Sequence, residues 1–137
     1  MFVTENDLIE ISIYYKKDKN QYKVYAEKEF EKLSLTEDEK KKYNALNVKM
    51  LQLNWGMYNA LQEDAMVTDA NGDRHFNFKA FRENKLKKLM KEWDAKKDDK
   101  AVPINDRMIS MLAPSIAECI LGSYDKECML TEEEEGK

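Results

Sequence analysis

Glycine and proline are scarce, four and two in 137 residues. A chain so short of tight-turn residues is a poor candidate for a many-turned all-β protein, and it favours long helices with polar outer faces. Cysteine is limited to Cys119 and Cys128, on one late helical segment. Their nine-residue separation sets them far apart along a helix, which argues against a disulfide between them and for free thiols in a reducing compartment. No apolar run approaches the roughly 20 residues that cross a membrane. The opening MFVTENDLIEIS puts acids ahead of the first apolar run, the reverse of a secretory signal, so the chain is expected in a cytoplasm and not secreted. Neither sign of charge dominates: 23 Lys and Arg stand against 27 Asp and Glu, for a net charge of −4. Interspersed lysines and acids make no basic face for nucleic acid, and the acid is too little for a mimic of DNA.

What is present is a globular composition, 42% hydrophobic and 36% charged, at a length that suits one domain over 1–130. Leu8 to Tyr15 alternates and is β-branched, and with Tyr22–Tyr25 it predicts an antiparallel hairpin over about 8–27. Thr36 and Glu39 form a capping-box pattern. From there Tyr43, Leu46, Met50, Leu53, Met57 and Leu61 recur at steps of three or four, which predicts one long helix over about 36–65. A second helix is expected over about 78–94, with Trp93 as its last core anchor. Asp94 to Lys100 reads as a solvated turn. Pro103 and Ile104 lead into a cap at Asn105 and a short helix over about 105–112. Pro114 breaks that helix and opens another over 114–128. The like-charged end, 131–137, is expected to be a disordered acidic tail. The fold class predicted is mainly α: a single small helical domain with an N-terminal β-hairpin and a Pro-broken C-terminal helix pair.

Chemical constellations are few. Asp69-Ala70-Asn71-Gly72-Asp73 suggests a calcium loop, but the sixth and twelfth positions hold Arg74 and Ala80 where glycine and a bidentate glutamate are needed, so a polar turn is preferred. His75 is the sole histidine and has no cysteine at metal-ligand spacing. There is no glycine-rich phosphate loop or nucleophile elbow. No catalytic, cofactor-binding or metal residues are therefore assigned, no cofactor is expected, and the chain is not expected to be an enzyme. Aromatics are numerous. Trp55 and Trp93 read as core, and the hairpin tyrosines as part core and part docking surface.

The segment KLMKEWDAKKDDKAVPINDRMISMLAPSIAECILGSY, from Lys88 to Tyr124, joins a Trp-Asp helix end to a charged turn, Val-Pro-Ile, a capped short helix, Leu-x-Pro and a final apolar helix. It resembles the tail assembly chaperones of tailed bacteriophages, in which the turn usually carries Asp-Gly where this chain has Asp98-Asp99-Lys100. The resemblance implies a non-catalytic helper in the cytoplasm of the bacterial host, one that binds the tape-measure protein or another phage tail protein and is absent from the finished particle. Self-association is a further option, and neither nucleic acid nor membrane is an expected partner. Flexible methionines suit a reversible apolar docking face. The candidate partner-binding residues are Trp93, Met108, Met111, Leu112 and Tyr124. Two rival readings are a structural virion protein, such as a tail or baseplate adaptor, and a small phage-encoded inhibitor of a host protein.

Overall fold

The computed structural model describes residues 1–128. The expected acidic tail, 131–137, lies outside the described residues. In chain order the elements are β1 (Leu8–Asp18), β2 (Gln21–Ala26), α1 (Glu27–Glu31), α2 (Glu37–Lys40), β3 (Asn44–Leu51), α3 (Trp55–Asp64), β4 (Met66–Thr68), β5 (Arg74–Phe76), α4 (Phe78–Leu89), β6 (Met90–Trp93), β7 (Lys96–Lys97), β8 (Lys100–Ala101), α5 (Asp106–Ser110) and α6 (Pro114–Cys128). Among the described residues they form a four-stranded antiparallel sheet in the order β2-β1-β3-β6, two small hairpins, β4–β5 and β7–β8, and six helices. The fold is mixed α/β, and the mainly α class predicted from the sequence is wrong.

The error lies in one ambiguous spacing. Leu46 and Met50 are four apart, which puts them on one face of a helix and equally on one face of a strand. Val48, between them, breaks the tie. Leu46, Val48 and Met50 are all buried while Asn47 and Lys49 are exposed, the alternation of a half-buried strand. β3 pairs with β1 in the register Ile9↔Met50, Ile11↔Val48 and Ile13↔Leu46, so the apolar sides of both strands share one face. A lone β1–β2 hairpin is marginal in water, and β3 supplies the third strand that it lacks. The long helix expected over 36–65 is therefore replaced by a single turn, α2, then β3, then α3. Thr36 does cap α2: its hydroxyl accepts from the Glu39 amide, and the Glu39 carboxylate accepts from the Thr36 amide, both at 3.2 Å.

The helix expected over 78–94 likewise ends at Leu89, and Met90–Trp93 leave it to become the edge strand β6. Here Met90 opposes Met50 and Glu92 opposes Lys49, which leaves Lys91 as a bulge in the ladder. One face of the sheet carries the core. Ile11, Ile13, Leu46, Val48, Met50 and Met90 meet Leu86 and Leu89 of α4, Ile109 of α5, and Ile116, Ile120, Leu121 and Tyr124 of α6. Pro114 occupies the first turn of α6, where its missing amide costs nothing. On the opposite face α1 is held by aromatic contacts. Phe30 stacks on Tyr14 with ring centroids 4.3 Å apart and meets Tyr43 edge-on at 5.1 Å.

Candidate interaction surface

The uncovered part of the outer sheet face is polar and cross-linked. Lys49 lies 3.9 Å from Glu10 and 3.7 Å from Glu92, a charge row across three strands. Beside it the Ser12 hydroxyl donates to Asn47 Oδ1 at 2.6 Å. The backbone and side-chain nitrogens of Asn47 donate to the two Asp94 oxygens at 2.8 and 2.7 Å. These groups border a shallow groove of about 300 Å³. Their polar atoms are largely bonded to one another, so the groove presents few free donors to a ligand.

The sequence-predicted binding residues are scattered. Trp93 is half-buried on β6, and its indole nitrogen donates to the Val102 carbonyl at 2.8 Å, which ties the strand to the segment ahead of α5. Met108 and Leu112 are half-buried on and just past α5, with Leu112 against the core. Met111, in the same turn, projects outward at 63% exposure. Tyr124 is a core residue with 1% exposure, and its hydroxyl donates to the Leu51 carbonyl at 2.8 Å. Burial pushes the Tyr124 phenol well above its ordinary value. Met108, Met111 and Leu112 thus share one short stretch, while Trp93 lies on the sheet edge and Tyr124 inside.

The large exposed apolar side chains lie mostly elsewhere. Trp55 opens α3 behind its cap, Asn54, whose Oδ1 accepts from the Met57 amide at 2.9 Å. Trp55 was expected in the core but is 77% exposed, stacked on Tyr58 with centroids 6.4 Å apart. Phe78 opens α4 behind Asn77 and is 60% exposed. Phe76 lies 6.5 Å from it and 5.4 Å from Phe81, and the Arg82 guanidinium sits over the Phe78 ring at 5.6 Å. A legible signal for both was the asparagine directly before each aromatic. The first residue of a capped helix stands at its rim, and both rings remain largely in solvent.

Other candidate chemistry resolves into structure. Asp69 Oδ1 accepts from the Asn71 and Asp73 amides at 2.9 and 3.0 Å, and Gly72 takes φ 82°, which makes the 69–73 loop a self-bonded turn. His75 is exposed on β5. Among the described residues no group of three or more His, Cys, Asp or Glu is placed to hold a metal ion. Cys119 and Cys128 are both free and half-buried, and burial pushes both thiols up. Among the described residues no helix is long and apolar enough to cross a membrane.

These features define a class: a mixed α/β protein with an open-faced antiparallel sheet, helices packed on the other face, and exposed aromatics at the starts of α3 and α4. Comparison with models of protein families, with curated proteins and with solved structures finds no match.

Proposed function

We propose that this protein acts by binding another protein, as a tail assembly chaperone for the tape-measure protein of a tailed bacteriophage in the cytoplasm of its bacterial host. The observation that carries the binding role is the exposure of three large apolar side chains, Trp55, Phe78 and Met111, with the Arg82 guanidinium beside Phe78. Such side chains, ringed by polar residues, are the usual makings of a reversible protein contact. The tail-assembly role adds the resemblance of residues 88–124. A long helical client presents apolar stripes that need cover until tube subunits assemble around it. Aromatic and thioether side chains suit such cover because they adapt to varied surfaces. The ion pairs of Arg82 with Glu118 and Lys85 with Asp125 brace α4 against α6, giving the exposed phenylalanines a rigid platform.

The test is co-expression with the tape-measure protein of the same phage. A soluble complex is expected. The combined substitutions Trp55→Ser, Phe78→Ser and Met111→Asp should weaken it at least about tenfold, as loss of interface hot spots does. All three side chains are exposed, so thermal unfolding should be nearly unchanged. Absence of a complex, or a complex indifferent to all three changes in a folded protein, overturns the proposal.

A further inference from the structure

Asn71 and Gly72 stand in the loop that joins β4 to β5, and both are exposed. Four bonds hold that loop, and all of them run to Asp69. The Asp69 amide donates to the Asp73 carbonyl at 2.9 Å, and the Asp69 carbonyl accepts from the Gly72 amide at 3.0 Å. Its carboxylate accepts from the Asn71 and Asp73 amides. The Asn71 side chain takes no part: among the described residues nothing hydrogen-bonds its amide group. Other asparagines are tied down. Asn54, Asn77 and Asn105 cap helices, and Asn47 is bonded to Asp94. Asn71 is also the only asparagine in the sequence that glycine follows.

The main-chain nitrogen that follows an asparagine can attack the side-chain carbonyl carbon and close a five-membered ring. Glycine permits this best, because it has no side chain to crowd the approach and its backbone reaches conformations closed to other residues. Here the Gly72 nitrogen gives up its proton to water and bonds to Asn71 Cγ. The bond from Cγ to the side-chain nitrogen breaks, and that nitrogen takes a proton and leaves as ammonia. Water then opens the ring. Attack at Cγ leaves an ordinary aspartate. Attack at the main-chain carbonyl leaves an isoaspartate, in which the chain runs on through the former side chain. One water is consumed and one ammonia released, with nothing oxidised or reduced. In the closed loop the Gly72 amide is held on the Asp69 carbonyl, so its nitrogen is free to react only when the loop opens. The hairpin favours such opening: it has two strands of three residues, and β5 is exposed throughout.

We propose that Asn71 is a site of spontaneous deamidation, gated by opening of the β4–β5 hairpin, and that its isoaspartate product leaves the hairpin permanently looser. Either product puts a third carboxylate in the loop with Asp69 and Asp73, where like charges repel. Isoaspartate also adds one atom to the main chain inside the loop. The Asp69 bonds, fitted to the shorter chain, then cease to close together, and the pairing of Thr68 with Arg74 loses its support. Phe76 is at the far end of β5, where it meets Phe78 and Phe81, and it moves with that strand. The chain thus carries a slow, one-way change that reaches one of its exposed aromatics. This inference rests on the chemistry of the loop and not on the protein-binding reading.

The experiment is incubation of the full chain in warm, mildly alkaline buffer, then digestion and mass spectrometry that separates aspartate from isoaspartate. Both products are expected at position 71, with the other nine asparagines of the chain intact. In urea the conversion should run at least about tenfold faster, because the loop is then always open. The purified isoaspartate form should exchange the Val67 and His75 amides about tenfold faster than the parent, with Ile11 and Val48 unchanged. Asn71→Gln, whose longer side chain would have to close a larger ring, should come through the same incubation unmodified and with the exchange of the parent. Five results would each overturn the proposal: no conversion without urea, another asparagine converting first, aspartate formed without isoaspartate, equal rates with and without urea, or unaltered exchange in the isoaspartate form. The tape-measure complex has no bearing on any of these readouts.

Discussion

Asp98 and Asp99 hold φ angles of 53° and 63°, the left-handed backbone of a two-residue hairpin turn between β7 and β8. Glycine is the residue that takes the second position of such a turn without steric cost. Asp99→Gly is therefore expected to stabilise the protein by about 1 kcal/mol, read as a higher melting temperature. Gly56 is the opposite case. It sits in the first turn of α3, and a Cβ there would meet only Asn54 Oδ1, at an ordinary 3.6 Å. Gly56→Ala should gain up to about 1 kcal/mol in a denaturant titration. Tyr124 carries a pH signature. Its buried phenol is held above the ordinary value of about 10, so above that pH the unfolded chain has fewer protons bound than the folded one, and stability falls as pH rises. The raised thiols of Cys119 and Cys128 act in the same sense and bring the onset down to about pH 9. Urea midpoints should stay level below that value and drop above it. Tyr124→Phe should cost about 1 kcal/mol at neutral pH, through the lost bond to Leu51, and flatten the alkaline fall.

At the scale of the element, legibility followed how far each pattern could be mistaken for another. The alternation of Ile9, Ile11 and Ile13 has a period of two and nothing else, and it forms β1. The capping atoms of Thr36 and Asn105 were equally readable, because a cap is a local exchange of hydrogen bonds and needs no tertiary information. β3 was misread as helix because its apolar spacing of four fits both periods, and β6 because Met90 and Trp93 stand three apart, a helical step that the bulge at Lys91 brings to one side of the strand. What decides them is long-range pairing: β3 with β1, 35 residues away in sequence at the Ser12–Asn47 bond, and β6 with β3. The candidate site was less legible still. Trp93, Leu112 and Tyr124 have the composition of an interface, but tertiary packing puts them in or against the core, and only Met111 of the five stands clear. β3 as a strand makes a direct prediction. Met50→Ala should cost about 2–5 kcal/mol, since Met50 is fully buried between β1 and β6. Tyr58→Ala, within the span expected to be one continuous helix, should cost under about 1 kcal/mol because Tyr58 is an exposed surface residue of α3.

Across the whole molecule, stability is concentrated where the sheet meets α4 and α6. The buried set there links β1, β3 and β6 to α4, α5 and α6 in one apolar cluster. The hairpins β4–β5 and β7–β8 are short and two-stranded, with three and two residues to a strand, and β5, β7 and β8 are exposed throughout. Two-stranded ribbons of that length are marginal by themselves, and both are joined to the core through neighbours: Asn77 donates to the Ala65 carbonyl at 2.8 Å, and Val102 donates to the Ala95 carbonyl at 2.9 Å. Hydrogen exchange should therefore divide the chain into two tiers. Amides of Ile11, Ile13 and Val48 are expected to exchange only through global unfolding and to slow together when Asp99→Gly or Gly56→Ala stabilises the fold. Amides in the two hairpins should exchange by local opening, at rates that those substitutions outside their own turn leave unchanged. Equal protection across both tiers would show that the hairpins belong to the cooperative core. The separation matters for binding. Phe76 sits at the end of β5, so the aromatic patch has one foot on the loose tier and the other, Phe78 and Phe81, on the rigid α4. A contact surface built that way can shift its rim to fit a partner while α4 holds its centre still.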